Sequence, residues 1–508
     1  MLAKVPGGAV LGIEGYPVFV EVDVCAGLPA FEVVGLPDAA IREARERVRA
    51  ALRNSGYEFP LRRITVNLAP AMIRKEGACF DLPIAIGILA ATGELDPASI
   101  GEYVFAGELS LDGQVRRTPG ILSITLAVKA AGFRKMMVAK ENEGEAALVD
   151  GLDVYGVSTL SEAIGHLSGV TRITKATKAA IELAAMPAAC DLDFQDVSGQ
   201  DHARRALEVA AAGGHNILMV GPPGAGKTML ARRVPAILPP LSWDEALEVT
   251  RIYSAAGLLP AGASIITARP FRSPHHTISA AGLIGGGRMP KPGEISLAHR
   301  GVLFLDEIPE FGSHALEALR QPLEDGFVTV ARSGGVATFP ARFMLLAAAN
   351  LCPCGKRGDG GDGCKCSPAS IQKYLARLSG PLLDRIDLHI EVGRVEAADL
   401  EKGTGRETSY VIRERVVRAR EVQRARFREL PVHTNAEMGP REIRSFCELS
   451  RDARTLLYTA SSRLSLSARA HARVLKVART IADLEESTGI SASHIAEAVG
   501  YRALSHRD

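Results

Sequence analysis

The sequence is poor in aromatic residues and carries almost no net charge. Only 5% of its 508 residues are Phe, Tyr or Trp, with a single Trp, and the formal net charge is +2. Aromatic platforms that stack the bases of single-stranded nucleic acid are therefore not expected. Bulk charge favours neither nucleic acid nor a membrane surface as the partner.

Long apolar runs and a secretory start are missing as well. No run approaches the roughly 18 apolar residues of a transmembrane helix. The first residues lack the apolar core of a signal peptide, and Glu14 comes early. We therefore expect a cytoplasmic protein without a membrane partner. Eight cysteines in such a protein favour free thiols or metal ligands over structural disulfides.

What the sequence does contain is enough apolar material for several cores. Hydrophobic residues make up 47% of the chain, and the length predicts roughly two to four domains. Strand-like and helical runs alternate in the first third, whereas the last quarter is strongly helical. The predicted division is an α/β domain over 1–168, a linker over 169–193, a second α/β domain over 194–395 and a helical domain over 396–508.

A glycine-rich loop follows an apolar, strand-like run in the second α/β domain. The run covers 217–220, and a helical pattern begins after the loop. Glycines let backbone N–H groups turn inward around phosphates, and a helix N-terminus adds partial positive charge. This phosphate loop predicts ATP binding. Its residues are Gly221, Pro222, Pro223, Gly224, Ala225, Gly226, Lys227 and Thr228.

Charged side chains in and after this loop predict hydrolysis. Lys227 is expected to reach the β- and γ-phosphates, and Thr228 to give its hydroxyl to Mg²⁺. A second apolar run ends in Asp306 and Glu307. We expect Asp306 to hold the Mg²⁺ shell and Glu307 to polarise the attacking water. The two motifs in this order and context predict an ATPase.

Three further polar residues have both a catalytic and an ordinary interpretation. Asn350 ends an apolar run and is expected to orient water beside the γ-phosphate, unless it only terminates a strand. Arg385 is expected to enter the site of a neighbouring subunit, unless it forms a local salt bridge to Asp384 or Asp387. Arg469 opens a helix and is expected to swing over the nucleotide, unless it is a solvated surface residue.

Two long motifs of the second α/β domain carry a family resemblance. Phe-Arg-Ser-Pro-His-His-Thr-Ile-Ser covers 271–279, and Pro-Gly-Glu-Ile-Ser-Leu-Ala-His covers 292–299. They resemble the magnesium-chelatase-like AAA+ ATPases and, more closely, the ComM/YifB subgroup, over essentially the whole chain. The resemblance implies an AAA+ core with a C-terminal helical lid, and a ring, usually hexameric, with nucleotide between subunits. It implies that Asn350 is sensor 1, Arg385 the arginine finger and Arg469 sensor 2.

The same resemblance implies two insertions that line the central pore in related motors. One is a helix-2 insertion over about 269–299, and the other is a hairpin over 328–339 with a Ser-Gly-Gly turn. Arg332 near the hairpin tip is expected to contact the DNA backbone. The adjacent His275 and His276 are interpreted as structural, because neighbouring side chains point in different directions in most backbones.

Four of the eight cysteines crowd together. Cys352-Pro-Cys354 and Cys364-Lys-Cys366 are separated by nine residues rich in glycine. Four thiolates could close this loop around one tetrahedral Zn²⁺. Four reduced surface thiols and a disulfide pair are the alternatives, and the zinc knuckle over 352–366 is the favoured prediction.

The N-terminal domain resembles the proteolytic domain of the Lon family. The resemblance lies in 74–83 and 107–115. That family uses a serine nucleophile activated by a lysine. Here the serine position falls on Cys79 and the lysine position on Leu122, which cannot act as a base. We therefore expect a non-proteolytic domain that serves assembly or partner binding.

The C-terminal helical region opens with a basic segment. Residues 401–430 contain nine Lys or Arg and five Glu. A solvated face with ion pairs four residues apart is the favoured interpretation, and a surface for nucleic-acid phosphates is the alternative.

The family resemblance implies two classes of function. The first is a hexameric, ATP-driven helicase that acts on branched or single-stranded DNA independently of base sequence, in branch migration during homologous recombination or natural transformation. The second is a chelatase-type remodeller of a protein partner. A Lon-like peptidase is disfavoured by Leu122.

Overall fold

The computed structural model describes residues 1–178, 192–357, 363–395 and 407–502. Most of the predicted linker, the middle of the cysteine loop and the start of the predicted helical domain lie outside the described residues. Among the residues described, no helix is long and apolar enough to cross a bilayer.

The N-terminal part is an α/β domain built on a seven-stranded mixed sheet. The strands of this domain are β1 (Leu2–Leu11), β2 (Glu14–Cys25), β3 (Ala30–Val34), β4 (Arg63–Ala69), β5 (Tyr103–Ala106), β6 (Glu108–Leu109), β7 (Val115–Arg116), β8 (Lys135–Ala139) and β9 (Asp153–Val157). The sheet order is β3-β4-β2-β1-β5-β8-β9, and β6 pairs with β7 separately. Its helices are α1 (Ala39–Arg42), α2 (Ala44–Asn54), α3 (Asp81–Thr92), α4 (Pro97–Ile100), α5 (Ile121–Ala130), α6 (Glu143–Ala146) and α7 (Leu160–Leu167).

The core of this domain follows from its residue pattern. Strand β4 alternates buried and half-buried residues, as a strand with one covered face should. Helix α3 is apolar on every side, and all its residues except Thr92 are buried. A helix of this kind must be surrounded by protein, and α3 packs across β1 and β2.

The second α/β domain is built on a five-stranded parallel sheet with the order β11-β14-β17-β10-β18. Its strands, with two separate hairpins, are β10 (Ile217–Val220), β11 (Phe271–Arg272), β12 (Gly285–Gly286), β13 (Lys291–Pro292), β14 (Val302–Leu305), β15 (Phe327–Arg332), β16 (Gly335–Pro340), β17 (Met344–Ala349) and β18 (Leu388–Glu391). Its helices are α8 (Asp201–Gly213), α9 (Lys227–Ile237), α10 (Trp243–Ala255), α11 (Ala280–Ile284), α12 (Glu294–Leu297), α13 (Ser313–Ala318), α14 (Arg320–Asp325), α15 (Pro368–Leu375) and α16 (Gly380–Leu383). The central strands are fully apolar because helices cover both faces of the sheet.

The C-terminal part is helical, which confirms the predicted class of this region. Its helices are α17 (Ser409–Arg426), α18 (Pro440–Phe446), α19 (Arg451–Arg463), α20 (Ala468–Leu484) and α21 (Ala492–Gly500). Buried Val474, Ala478 and Ile481 form an apolar face of α20. They join one hydrophobic core with α8 and the parallel sheet, so the lid packs directly on the ATPase core.

The basic segment of α17 differs from the favoured prediction of a solvated face. Arg415 donates to Glu208 at 2.5 Å, and Arg420 donates to the carbonyl oxygen of Ala211 at 2.9 Å. Arg426 pairs with the buried Asp483. These three arginines therefore anchor α17 to α8 and α20, whereas Arg418, Arg424 and Arg428 of the same segment are exposed.

The N-terminal domain touches the ATPase core at two places. Helix α5 packs on α10, where the backbone N–H of Gly120 donates to the carbonyl oxygen of Ser254 at 3.0 Å. The Ser254 hydroxyl donates to the buried Glu145 of the N-terminal domain. At the turn between β1 and β2, Ile13 joins a hydrophobic core with Phe339 of β16. The domain is therefore attached both to α10 and to the base of the β15–β16 hairpin.

Candidate nucleotide-binding site

The phosphate loop connects the inner strand β10, which lies between β17 and β18, to helix α9. Gly224 and Gly226 have φ of +77° and +90°, which a residue with a Cβ rarely adopts. A Cβ on Gly221 would lie 2.0 Å from the carbonyl oxygen of Val392, so the close approach of β18 also requires glycine. The glycines predicted from the sequence thus form a tight turn that ends at the N-terminus of α9.

Lys227 lies inside the phosphate loop rather than in solvent. Its Nζ donates to the carbonyl oxygens of Gly221 and Pro222 at 2.7 and 2.9 Å, and to Oδ1 of Asn350 at 3.1 Å. These three bonds match the three protons of an ammonium group. Burial lowers the pKa of Lys227, and the nearby carboxylates of Asp306 and Glu307 oppose that shift.

Strand β14 brings the two predicted carboxylates to the same edge of the sheet. The Thr228 hydroxyl donates to Oδ2 of Asp306 at 2.6 Å, so the two predicted Mg²⁺ ligands are in contact. Glu307 follows in the left-handed region with φ of +51°, and its backbone N–H donates to Oδ1 of Asp306. Such a conformation is uncommon for Glu and turns its half-exposed carboxylate away from the strand.

Asn350 reaches this edge from the neighbouring strand. Strand β17 pairs in parallel with β10, and the backbone N–H of Gly221 donates to the carbonyl oxygen of Ala349 at 3.1 Å. The carboxyl ends of β10, β14 and β17 therefore converge, which is where ligands bind in open α/β sheets. The side chain of Asn350 touches Lys227 at this edge.

His276 was not predicted as part of the site. It follows β11, and its Nδ1 lies 3.9 Å from Oε2 of Glu307. Its ring is 4.0 Å from that of His275, measured between ring centroids. Its position could not be found from the sequence, because only the parallel pairing of β11 with β14 brings the residues after both strands to the same edge. The interpretation of both histidines as structural did not anticipate that His276 lies close to Glu307.

Arg385 lies at the opposite edge, where the strands begin. It precedes β18, and its Nη2 is 2.5 Å from Oε1 of Glu324. Neither aspartate proposed as its alternative partner is its ion-pair partner here. Asp387 pairs instead with Arg473 and lies 3.3 Å from Nδ1 of His215. Although burial alone would raise the pKa of Asp387, the charge of Arg473 and the hydrogen bond of His215 hold it well below its usual range.

Arg469 lies on the side of Arg385, at the edge of the sheet where the strands begin. It is exposed in the first turn of α20, and its charge, together with that of Arg385, lowers the pKa of Glu324. A cavity of about 490 Å³ opens at this edge between the sheet and the C-terminal helices. Arg385, Arg473 and Lys476 line it.

The predicted hairpin consists of β15 and β16, with Arg332 paired to Gly335 at its tip. The Arg332 side chain is exposed, and its guanidinium donates to the carbonyl oxygen of Ala331. The tip contacts the helix-2 insertion, because the backbone N–H of Gly334 donates to the carbonyl oxygen of Arg288 at 3.2 Å.

The four predicted zinc ligands come together. The sulfur atoms of Cys352, Cys354, Cys364 and Cys366 all lie within 4.8 Å of one another.

In the N-terminal domain the two Lon-like positions are both buried. Burial raises the pKa of Cys79 to about 12, and Leu122 packs in a cluster with Val249 of α10.

A phosphate loop on an inner strand of a five-stranded parallel sheet, two carboxylates at the same edge and a helical lid define an AAA+ ATPase. Three family models match in order along the chain. "Subunit ChlI of Mg-chelatase" matches 20–142, "Magnesium chelatase, subunit ChlI" matches 193–400, and "Magnesium chelatase, subunit ChlI C-terminal" matches 406–502.

Similar curated proteins extend over the whole length. The chain is 45% identical to the competence protein ComM of Haemophilus influenzae, over 99% of this chain and 98% of that protein. It is 45% identical to the uncharacterized protein YifB of Escherichia coli, over 98% of this chain and 96% of that protein. The 38 kDa magnesium-chelatase subunit of Rhodobacter capsulatus is 26% identical over 62% of this chain and 87% of that subunit. The chain belongs to the ComM/YifB family of magnesium-chelatase-like AAA+ proteins.

Proposed function

We propose that this ATPase is a hexameric ring motor that translocates branched or single-stranded DNA without regard to base sequence. Its task is helicase action and branch migration during homologous recombination or natural transformation, in the cytoplasm. The observation that carries the DNA partner is the 45% identity to a competence protein over 99% of the chain. Division into a Lon-like domain (1–168), a linker (169–193), an ATPase domain (194–395) and a helical lid (396–508) belongs to the same proposal.

The chemistry proposed for the site uses ATP and Mg²⁺. Lys227 exchanges its carbonyl partners for β- and γ-phosphate oxygens, to which it offers a full positive charge. Thr228 and Asp306, already 2.6 Å apart, hold the Mg²⁺ shell. Glu307 accepts a proton from the attacking water, and Asn350 orients that water from the next strand.

The two opposite edges of the sheet support the proposed ring. Arg385 and Arg469 lie where the strands begin, whereas the phosphate loop lies where they end. A single subunit therefore cannot bring them to its own γ-phosphate without unfolding the sheet. We propose that both arginines act on the nucleotide of a neighbouring subunit. Ring closure then separates Arg385 from Glu324.

The proposed DNA contact is the tip of the β15–β16 hairpin. Arg332 is exposed there, and exposed Arg288 and Lys291 belong to the helix-2 insertion that the tip touches. Exposed cations on a hairpin suit sugar–phosphate contacts, which are independent of sequence. Six copies around a ring would surround a DNA strand in the pore.

Strand displacement on three- and four-stranded DNA with labelled arms tests the motor. We expect ATP-dependent displacement that depends on DNA structure, not on sequence, and that weakens as salt rises. Glu307→Gln should bind forked DNA without resolving it. An active hexameric ATPase that neither binds nor resolves any of these substrates would contradict the DNA proposal.

Arg332→Ala should lower strand displacement more than ATP hydrolysis. Loss of one phosphate contact reduces the slope of log affinity against log salt by about one. Fluorescence anisotropy of labelled forked DNA over a salt series measures that slope. Arg63→Ala is the matched control, because Arg63 is an exposed arginine of the N-terminal domain that pairs only with Glu32. Equal slopes for Arg332→Ala and the unmodified protein would remove the hairpin contact.

The second candidate function is a chelatase-type remodeller of a protein partner. It is supported by the similarity to the Rhodobacter capsulatus magnesium-chelatase subunit. Stimulation of ATP hydrolysis separates the two functions, because a DNA motor responds to forked DNA and a remodeller does not.

We propose that the N-terminal domain hydrolyses no peptide and serves assembly or partner binding. A thiol whose pKa is about 12 is protonated at neutral pH and is a poor nucleophile. Cys79→Ala should therefore leave ATP hydrolysis unchanged. Iodoacetamide should label Cys79 only after denaturation, as read by peptide mass spectrometry. Rapid labelling of the folded protein at this residue would reopen the peptidase question.

A further inference from the structure

The cysteine cluster (Cys352, Cys354, Cys364 and Cys366) has the dimensions of a tetrahedral metal site. The Cys352 and Cys354 sulfurs are 3.4 Å apart, and each lies 3.7 Å from the Cys364 sulfur. Zinc–sulfur bonds of about 2.3 Å in a tetrahedron separate the sulfurs by about 3.8 Å. The observed sulfur–sulfur distances therefore fit thiolates that share one metal ion, and they are too long for a disulfide bond.

The surroundings of the cluster also suit thiolates. The Cys352 side chain is fully buried, and the backbone N–H of Arg357 donates to its sulfur at 3.4 Å. Donors to the ligand atoms orient a metal site and stabilise the charge of its ligands. Four soft sulfur ligands in tetrahedral order select Zn²⁺ or an iron–sulfur cluster over Mg²⁺.

The cluster adjoins the phosphate loop on the chain and in space. Cys352 comes two residues after Asn350, whose Oδ1 accepts from Lys227 at 3.1 Å. Gly355, which follows the first cysteine pair, lies against Pro223 of the phosphate loop. A Cβ at Gly355 would lie only 2.6 Å from Cγ of Pro223.

A helix that starts just after the cluster provides a third connection. Helix α15 begins at Pro368, and its Ser367 cap accepts from the backbone of Ser370. Buried Tyr374 of this helix lies close to the backbone of Asn350. Nine residues separate Cys354 from Cys364 along the chain. A metal bound by both cysteines would close this loop and fix the start of α15 relative to the turn at Gly355.

We propose that the cysteine cluster binds one Zn²⁺ and that this ion is a clasp that holds Asn350 and the phosphate loop in their hydrolytic arrangement. The ion is structural, with all four positions filled by protein sulfur, and takes no part in the chemistry. This inference needs the ATPase centre and not the DNA partner, so all its tests are made without DNA.

The first test is metal content together with basal ATP hydrolysis of the full-length chain. We expect one zinc per chain by plasma emission spectrometry and none in the Cys364→Ser/Cys366→Ser variant. The kcat of that variant should fall by about tenfold or more, as removal of groups that orient a site typically does. Cys25→Ser is the matched control, because Cys25 is an exposed free cysteine of the N-terminal domain.

A measurement on the unmodified chain covers the case in which the double variant misfolds. Titration of the thiols with a mercurial reagent in excess Mg²⁺ should release zinc and abolish ATP hydrolysis in parallel. An excess of a small thiol together with Zn²⁺ should restore both the zinc content and the hydrolysis. Co²⁺ in place of zinc should give the intense visible bands of a tetrahedral thiolate site. Absence of stoichiometric zinc, or the spectrum of an iron–sulfur cluster, would contradict the proposed Zn²⁺ site. Zinc release without loss of hydrolysis overturns the clasp.

Gly355→Ala tests the contact with Pro223 separately from the metal. Gly355 and Gly56 have φ of +75° and +87°, but a Cβ at Gly56 meets nothing within 4 Å. Gly355→Ala should retain its zinc but have a lower kcat. Gly56→Ala should retain both its zinc and its kcat, because its new Cβ adds backbone strain without a close contact. Equal kcat for the two variants would contradict the connection through Pro223.

Discussion

Lys227→Ala protein is expected to bind ATP roughly ten to a hundred times more weakly and to hydrolyse none of it. The lysine offers charged hydrogen bonds worth about 1.5–3 kcal/mol to phosphate oxygens, and the Ala variant leaves the phosphates without that charge. Glu307→Gln should keep the affinity and lower turnover by about 10² to 10⁴, because only the proton acceptor for water is lost. Binding of a fluorescent ATP analogue and release of phosphate measure the two effects.

The pair of variants discriminates between binding and chemistry. Lys227 contacts the loop carbonyls and Asn350, so its removal changes the site before any nucleotide enters. Glu307 is half-exposed and makes no such contact to the loop. Arg63→Ala is again the control for a surface change remote from the sheet edge. Substantial turnover by Glu307→Gln would remove the role assigned to this carboxylate.

Arg385→Ala protein alone is expected to lose about 10³ to 10⁵ in turnover, the range found for arginine fingers. Mixed with Lys227→Ala protein, it should regain part of that activity. In a hybrid ring, one interface combines an intact phosphate loop with an intact arginine. Phosphate release at several mixing ratios, under conditions in which subunits exchange, measures the recovery.

Glu324→Gln is the control for the local salt bridge. If Arg385 served only to hold Glu324, both variants would lose activity alike and mixing would restore nothing. If Arg385 acts across the interface, Glu324→Gln releases the guanidinium and retains turnover. The contact of 2.5 Å in the isolated subunit is then one that ring closure replaces.

Features that depend on neighbours in the chain could be predicted from the sequence. Strand β10 covers the predicted 217–220, and the β15–β16 hairpin turns at the predicted Ser-Gly-Gly. The phosphate loop needs glycine at φ values that other residues avoid, so its composition reveals its shape. Parallel strands that each end in a polar residue likewise predict that these residues lie at one edge of the sheet. Asp306 and Asn350 are therefore expected at the same edge.

Partners distant in the chain could not be predicted in this way. Arg385 has two aspartates close by in sequence, yet it pairs with Glu324, because α14 and the segment before β18 meet at the same edge. His276 comes near Glu307 only through the pairing of β11 with β14. The arginines of α17 are a charged pattern in sequence, and only the packing of α17 on α8 and α20 determines that several of them face inward.

By itself the sequence determined the ATPase class, the loop, the two carboxylates and the four clustered cysteines, because each depends on residue types at short, fixed spacing. The tertiary structure determined at which edge of the sheet each functional side chain lies. It puts Arg385 and Arg469 at the edge away from their own phosphate loop, and the cysteine cluster against Pro223. The physical reason is that spacing along a chain sets local backbone geometry, whereas the edge on which a side chain lies depends on how distant strands and helices pack.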